Sequence, residues 1–517
     1  MDKNLLWAVS LSIAIYAFWF GVVEKRYVKH APPAVMAVAQ TPAEHYSSRP
    51  APANATGAAA ASSLAPQAAP ESLDRATLAS QADLLPGLDS ELRIHPRGAA
   101  VVSCLYQDKM GAVELVNDPA PGLFATWPEL SFTRQPAAAG MLRYAASRPD
   151  GARIVKEFLP EGKDSLPRIR VTLSNPTRRP LATGSWSLSI GPGLGTVPNE
   201  LGENTRVWRA LGLPAEGGGP PKAFKPGPQP GAFAWLGVDN RYFLAAVLPQ
   251  SGDFDAVESA SPPFVSLRAK DFTLAPGAER TWDIPYYLGA KGYTLLARYR
   301  LGLEKSVDFG IFRDLGRPLL RLLHWLQGRV GNWGWAIVIM TFLIQTLLLP
   351  LTIKSLKSMA VMKRLQPEIS KLQQKYSKEP GRLNSEMMEL YKKAGANPLG
   401  GCLPLMLQMP VFIALFNALR NSWELHGAPW IWWVHDLAAK DPFYVLPIVM
   451  GGVMFAQNRL NPAATNDPTQ KTMMTWMPVI FTVMFLKTPA GLVLYWLTSS
   501  IISSALQMGL RRQFEAA

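Results

Sequence analysis

Residues Gly331 to Ile353 read GNWGWAIVIMTFLIQTLLLPLTI, a stretch without a charged side chain. An α-helix needs about 20 mostly apolar residues to cross the hydrocarbon core of a bilayer, and this stretch is long enough. The following segment, residues 354–393, holds ten Lys or Arg against four Asp or Glu. An apolar helix followed by such a basic segment is typical of a membrane span whose basic end lies in the cytoplasm.

Further apolar stretches lie on both sides of this one, and together they predict a polytopic α-helical membrane protein with six transmembrane helices. Proline lies inside several of them, which is tolerated where neighbouring helices satisfy the freed carbonyl groups. The stretches are Leu5–Val23, Trp333–Leu351, Leu403–Leu419, Phe443–Ala456, Met473–Leu486 and Leu492–Leu510.

The basic loop sets the predicted topology. Alternating outward from it places both termini in the cytoplasm and the long segment between the first two spans outside, and Arg511 and Arg512 near the C-terminus agree with this. Lys25, Arg26 and Lys29 alone would invert the first helix. We expect the basic loop at 354–393 to determine the orientation, because long domains translocate largely regardless of charge.

The N-terminal part divides into an anchor, residues 1–24, and a linker, residues 25–85, which is rich in Ala, Pro, Ser and Gln and is predicted to be disordered. The first apolar run could instead be a signal peptide, with a cleavage site at Ala37-Val38-Ala39. That triplet lies far beyond the run, so an uncleaved anchor is favoured.

Residues 86–303 change to short alternating segments broken by Gly, Pro, Asn and Asp, such as RIRVTLS at 168–174. This pattern predicts a large all-β domain outside the cytoplasm. Residues 304–331 then combine an apolar stripe with arginines at helical spacing, which favours an amphipathic helix lying on lipid head groups over a soluble packing helix.

Composition and motifs argue against an enzyme. The hydrophobic fraction is 48% and the charged fraction 17%. The formal charge is +14, but the sequence contains no aromatic-plus-basic module for sequence-specific nucleic-acid binding. The sequence has no nucleotide-binding Gly-rich loop, no His-x3-His pair and no Gly-x-Ser-x-Gly elbow. Cys104 and Cys402 are assigned to different compartments, so no disulfide, metal or cofactor site is predicted.

His435 and Asp436 are the only adjacent acid and imidazole in the membrane half. They fall in a short external loop, where capping or interface hydrogen bonds are favoured over catalysis.

Polar side chains inside the spans are the candidate site. Thr341 and Gln345 share one helix face, Gln408 lies in the third span, Gln457 near the inner end of the fourth, and a Thr/Ser cluster in the last. Such groups should face one another or water. They predict a wetted recess, bordered by Met359, Met362, Trp476 and Trp496, although hydrogen bonds that only hold the bundle together are an equal alternative.

The basic segment, residues 354–396, shows two apolar-periodic runs separated by Lys-Glu-Pro-Gly, which predicts a cytoplasmic helical hairpin. Its basic faces could contact ribosomal RNA or acidic partners, or could merely be solvated. Its candidate contact residues are Met359, Met362, Met387 and Met388.

The same segments resemble the YidC/Oxa-type membrane protein insertase family, in particular YidC of Gram-negative bacteria, over residues from about 307 to 510. The motifs that carry the resemblance are Gly331-Asn-Trp-Gly334, Pro350-Leu-Thr352, Leu365-Gln-Pro367, Asn397-Pro-Leu-Gly-Gly-Cys402, Gln408-Met-Pro410, Trp432-Trp-Val-His-Asp-Leu437, Asp441-Pro442 and Gly491-Leu-Val-Leu-Tyr495.

The resemblance implies a five-helix insertase core in the bacterial inner membrane, with a hydrophilic groove open to cytoplasm and lipid, and a periplasmic β-sandwich. It implies insertion and folding of nascent membrane proteins, alone or with the Sec translocon, without nucleotide hydrolysis. Tyr495 and Trp496 match the family's substrate-contacting aromatic pair. The short cytoplasmic tail, residues 511–517, leaves any ribosome contact to the hairpin and the loop at 458–471.

One position departs from the family. Its members commonly have an arginine four residues after the threonine that matches Thr341, and this chain has Gln345. A neutral amide can hydrate a groove but cannot attract an acidic substrate tail by charge.

The residues alone leave two other functional classes open. A small-molecule transporter should show an internal repeat among its spans, and none is visible. An anchored periplasmic enzyme or carbohydrate-binding domain should retain its activity in the β domain alone.

Overall fold

The computed structural model describes residues 75–162, 165–216, 218–250, 252–377, 379–395, 403–460 and 468–515. The predicted anchor at 1–24 and the linker up to residue 74 lie outside these ranges. The chain divides into two compact units, Met1–Gln81 and Ala82–Ala517. In the first unit the described structure is a short helix, α1, Arg75–Ser80.

Regular secondary structure begins before residue 86, the predicted start of the β domain. Residues 75–85 fall in the segment predicted to be a disordered linker, yet they contain α1 and most of the first strand, Asp83–Pro86. Leu85 of that strand is 4% exposed and belongs to the core of the β domain. Burial of this one apolar side chain helps to order a segment whose composition alone predicts disorder.

The second unit begins with an all-β part. Its strands are β1 Asp83–Pro86, β2 Ser90–His95, β3 Ala100–Asp108, β4 Gly111–Glu114, β5 Thr133–Gln135, β6 Leu142–Ser147, β7 Arg153–Leu159, β8 Arg168–Ser174, β9 Leu181–Ala182, β10 Ser187–Ile190, β11 Arg209–Pro214, β12 Lys222–Ala223, β13 Gly227–Gln229, β14 Phe233–Asp239, β15 Phe243–Val247, β16 Phe254–Ala260, β17 Phe264–Ala269, β18 Thr273–Leu274 and β19 Glu279–Ala290. Two short helices, α2 Leu201–Val207 and α3 Tyr293–Ala297, lie among and after them.

The strands form one large antiparallel sheet and several small ones. The nine-stranded sheet has the order β12-β11-β14-β15-β19-β8-β7-β6-β5. Two four-stranded sheets, β1-β2-β3-β4 and β10-β17-β16-β13, contribute apolar side chains to the same core as the large sheet. The β domain is therefore a sandwich: the alternating sequence pattern predicts its all-β class, and the family resemblance implies the sandwich.

The large sheet is buried on both faces where it meets the helices. In β15, Phe243, Ala245 and Val247 pack in the sandwich core, whereas Leu244 and Ala246 pack in a second cluster that also contains helix residues. A strand with both faces covered reads as a continuous apolar run, and FLAAV is such a run. The second cluster joins the β domain to the helical part.

The helical part has seven helices within the described residues. They are α4 Arg313–Val330, α5 Trp333–Lys375, α6 Pro380–Lys393, α7 Leu403–Arg420, α8 Val445–Leu460, α9 Pro468–Phe485 and α10 Ala490–Glu515. Helix α4 is amphipathic: Leu319, Leu320, Leu323 and Leu326 are buried, and Trp325 on the opposite face is 55% exposed. It packs against α5 and α7.

Helix α5 passes without interruption through Leu351, the end of the second predicted apolar stretch. Asn332 caps its start, since the Asn332 side chain accepts a hydrogen bond of 3.1 Å from the Trp335 amide. The helix then continues to Lys375, because the polar residues after Ile353 include no helix breaker until Pro367, which the helix also accommodates. The first helix of the predicted hairpin is thus an extension of α5, and α6 packs back against it.

Two described helical segments are long and apolar enough to cross a membrane, α5 and residues Ala490–Gly509 of α10. Helix α9 contains a shorter apolar part, Thr475–Phe485. Helix α8 has 16 residues, which at 1.5 Å per residue gives about 24 Å, less than the ~30 Å hydrocarbon core. The count of six spans stays a prediction.

Candidate functional site

The candidate site lies where α5, α7 and α10 meet. Helix α10 packs along α5 and α8, and it also contacts α7, while α9 packs on α8. Tyr495 and Ser499 are four residues apart on α10 and therefore lie on one face of it. That face receives polar side chains from two other helices.

Gln345 connects α5 to α10. Its side-chain Nε2 donates a hydrogen bond to the Ser499 hydroxyl, and the residue is 6% exposed. Thr341, one turn earlier, is fully buried, but its hydroxyl donates to the Ile337 carbonyl of its own helix at 2.7 Å. The two predicted groove residues thus differ, since Gln345 bonds across helices and Thr341 bonds within one.

A second bond connects α7 to α10. The Gln408 side-chain Nε2 donates to the hydroxyl of Tyr495, which is fully buried. Sequence alone identifies Gln408 and the Thr/Ser cluster of the last span as polar groups within spans, and the structure identifies Gln408 as the partner of Tyr495 and Ser499 as the partner of Gln345. The i, i+4 spacing of Tyr495 and Ser499 was the available signal.

An aromatic cluster adjoins these bonds. The Trp496 ring lies 4.9 Å from Phe412 in an edge-to-face arrangement and is stacked on Phe481 at 5.6 Å. Phe485 lies 5.5 Å from the same ring. The cluster therefore joins α7, α9 and α10, and it places a large apolar surface beside the polar pairs.

The other predicted site residues are spread over the helical part. Gln457 of α8 is partly buried, and Trp476 of α9 is largely exposed. In the hairpin, Met362 and Met387 are partly buried and Met388 is exposed, while the side chain of Met359 lies outside the described part. Their place beside the recess stays a prediction.

The loop between α7 and α8 docks onto the β domain. His426 Nε2 lies 2.9 Å from Asp108 of β3, and its Nδ1 lies 3.5 Å from Asp436. Trp423 packs edge-to-face on Tyr106 with ring centroids 5.8 Å apart. Asp436 also accepts a hydrogen bond from the Ala438 amide at 2.8 Å, so it has the capping and interface role that the sequence favours over catalysis.

A metal site is not found among the described residues, since they contain no group of three or more His, Cys, Asp or Glu that could hold an ion. Cys104 is buried as a free thiol within β3, and Cys402 lies outside the described ranges.

Comparison with known proteins decides the family. Residues 222–322 match the model of the YidC periplasmic domain, and residues 325–517 match that of the 60Kd inner membrane protein. A membrane protein insertase YidC from Endomicrobium trichonymphae is 40% identical over 426 residues, which cover 79% of this chain and 80% of that relative. The chain belongs to the YidC family of membrane protein insertases.

Other YidC relatives align over a shorter part. YidC of Cupriavidus necator is 44% identical over 54% of this chain, and the match spans about half of that relative, 51% of its length. A crystal structure of an active YidC insertase with its first transmembrane domain covers 82% of this chain and 92% of its own, at 16% identity and a TM-score of 0.39. The assignment to YidC therefore rests on sequence.

The YidC assignment confirms the resemblance that the motifs carry. It also assigns a family match to the β domain and to the helical part. The match to the YidC periplasmic domain covers the later strands of the β-sandwich and the beginning of α4, and the match to the inner membrane protein covers the rest of the helical part.

Proposed function

We propose that this chain inserts integral membrane proteins into the bacterial inner membrane and helps them fold there, alone or with the Sec translocon. The substrate would enter a hydrophilic groove open to cytoplasm and lipid, among six spans with both termini in the cytoplasm. Nascent membrane proteins are its partners, and lipids surround the groove. Ribosome contact would fall to the hairpin, including Met362 and Met388, and to residues 458–471.

The contact between Gln345 and Ser499, with the second contact between Gln408 and Tyr495, carries this proposal. Amide and hydroxyl groups inside a bundle can hydrogen-bond a short hydrophilic tail and so lower the cost of moving it partway across the bilayer. The aromatic cluster around Trp496 offers an adjoining apolar surface for the substrate's own span.

The driving force needs no nucleotide. Burial of the substrate's apolar span in lipid releases roughly 25 cal/mol for each Å² removed from water. The chain's part would be to lower the barrier for the polar tail, which fits a sequence without a nucleotide-binding loop.

The test reconstitutes the purified full chain in liposomes and measures insertion of a small single-span protein by protease protection, with empty liposomes as the baseline. Wild type should exceed the baseline. Gln345→Ala and Ser499→Ala should each lower insertion by about fivefold, which corresponds to about 1 kcal/mol for one lost hydrogen bond.

Thr346→Val is the matched control. The Thr346 side chain is exposed on the same helix, and its hydroxyl donates only to the Phe342 carbonyl of that helix, at 2.8 Å. It should insert like wild type. Baseline insertion by folded wild-type protein would contradict an independent insertase and leave a Sec-dependent chaperone or a transporter.

A further inference from the structure

Helix α4 carries a row of arginines that the protein leaves unpaired. Arg313, Arg317, Arg321 and Arg329 lie along it against one acid, Asp314. Within the described residues, none of the four guanidinium groups forms an ion pair or a hydrogen bond to the protein. The Nε of Arg317 is buried and has no hydrogen-bond partner there. The helix therefore holds an excess of positive charge that the described part of the chain does not compensate.

The spacing of these side chains places them side by side. Arg313, Arg317 and Arg321 follow one another at four-residue steps, and residues four apart are neighbours on a helix surface, where like charges repel. Trp325 continues the same row, and its ring centroid lies 4.9 Å from the guanidinium carbon of Arg329. Arg321, Trp325 and Arg329 are all exposed. An anion that binds across the row would relieve this repulsion, because it supplies the missing opposite charge.

The position of α4 puts this row at the outer surface of the membrane. The family match to the periplasmic domain extends into the first part of α4. Only Gly331 and Asn332 separate α4 from α5, whose apolar part is long enough to span a bilayer. Trp335 on the first turn of α5 is 46% exposed, and tryptophan is enriched at the membrane–water interface. The positive-inside rule does not explain an arginine row here, because that rule places excess Lys and Arg on the cytoplasmic side.

Phospholipid head groups supply the anion at this level. A guanidinium group is a planar fork of donors that matches two oxygens of a phosphate, and it is less strongly hydrated than the ammonium group of lysine. In a zwitterionic lipid the cation of the head group compensates the phosphate, whereas an anionic lipid such as phosphatidylglycerol leaves the phosphate charge free. Tryptophan combines an apolar body with a polar N–H, so Trp325 suits the boundary between head groups and acyl chains.

We propose that α4 binds an anionic phospholipid of the outer leaflet, with Arg317 and Arg321 on the phosphate and Trp325 against the glycerol region. Arg329, which lies over the Trp325 ring, completes the site. The opposite face of α4 is buried and packs on α5 and α7, so a bound lipid ties the outer ends of these helices to the membrane surface. The site goes beyond the proposed function, because lipid binding needs no insertion substrate.

The test places the full chain in nanodiscs of phosphatidylcholine that contain a small fraction of a photoactivatable lipid. This lipid is either phosphatidylglycerol or phosphatidylcholine, with its reactive group near the head group, and mass spectrometry of chymotryptic peptides measures labelling of residues 313–330. Wild type should be labelled there about tenfold more by phosphatidylglycerol, a ratio equivalent to 1.4 kcal/mol. This comparison needs no variant, so it decides even if a substitution impairs folding.

A double variant then assigns the preference to the arginines. Arg317→Gln with Arg321→Gln should lower labelling of α4 by phosphatidylglycerol about tenfold, to the level of phosphatidylcholine, because each cation near a membrane surface adds to the attraction. Labelling of the basic segment 354–393 should not change and serves as the internal reference. The matched control, Arg178→Gln with Arg179→Gln, removes the same charge from an exposed loop after β8 and should leave labelling of α4 as in wild type.

Two results would overturn the lipid site. One is equal labelling of α4 by the two lipids in wild type, and the other is a preference for phosphatidylglycerol that persists in the double variant. Neither result bears on insertion, which the liposome assay measures separately.

Discussion

Lys156 shows how one residue organises strained backbone in the β domain. Its side chain is fully buried, and its Nζ donates to the carbonyls of Ala99 at 2.8 Å and Phe124 at 2.6 Å, and to that of Gly98 at 3.3 Å. All three acceptor residues have positive φ, between 42° and 67°. The amine of one side chain therefore contacts two chain segments, at 98–99 and at 124, whose backbone adopts a conformation that non-glycine residues rarely adopt.

We expect Lys156→Met to lower the free energy of unfolding by about 3 kcal/mol, because it leaves buried carbonyls without a donor. Burial also lowers the pKa of Lys156 well below its ordinary value. The unfolded chain then binds more protons between that lowered pKa and about 10.4, so stability contributed by Lys156 rises with pH across this window.

Thermal unfolding of the full chain in detergent, followed by tryptophan fluorescence, would measure both effects. The difference in stability between wild type and Lys156→Met should grow as pH rises toward 10. Lys270→Met, at an exposed lysine of the same domain, should shift neither the midpoint nor its pH dependence. A pH-independent difference would rule out the burial argument for Lys156.

At the scale of elements, a polar contact joins α10 to α7, and its contribution can be measured alone. Tyr495→Phe leaves the Gln408 amide without its hydroxyl partner, and Gln408→Leu leaves the hydroxyl without its donor. Each single variant should lose about 1 kcal/mol. The double variant should lose less than the sum, because it leaves neither group unpaired.

Unfolding of the four proteins in detergent gives the coupling energy, which we expect near 0.6 kcal/mol, the average for hydrogen bonds between membrane helices. Additive losses would show that the two side chains do not interact. Leu497→Ala, at a buried apolar position of the same helix, tests packing without changing the hydrogen bond.

The elements differ in how far the sequence predicts them. Charge-free runs such as that around Gln345 predict helices, and alternating segments such as β8 predict strands, because both patterns are local. The order of the nine-stranded sheet brings β15 beside β19 and β19 beside β8, and no local pattern encodes such distant pairing. The contact between Gln345 and Ser499 spans 154 positions and is hidden for the same reason.

At the scale of the whole molecule, the β domain is fixed to the helical part through polar contacts as well as apolar packing. Arg241 donates from Nε to the Arg420 carbonyl at the end of α7, at 2.8 Å. Asn421 donates to the Asp308 carbonyl, also at 2.8 Å. In sequence, residues 421–437 read as an ordinary short loop, so this interface could not be predicted from local pattern.

His426 is the centre of this interface, and its replacement should loosen the docking of the two halves. His426→Leu would leave the Asp108 side chain, 3% exposed, without its imidazole partner. Removing one member of a buried pair typically costs about 3–5 kcal/mol, since the remaining charge is desolvated and uncompensated. The double variant His426→Leu with Asp108→Leu should recover part of that loss.

Hydrogen exchange of the full chain, read by mass spectrometry, locates the effect. His426→Leu should speed exchange in residues 421–437 and at the end of β3. Helices α5 and α10 should stay protected, because the contact between His426 and Asp108 lies outside the helix contacts that hold them. His435→Leu is the matched control, since His435 is exposed in the same loop. Unchanged exchange around His426 would mean that apolar packing, with Trp423 against Tyr106 and Phe243, is sufficient to hold the domains together.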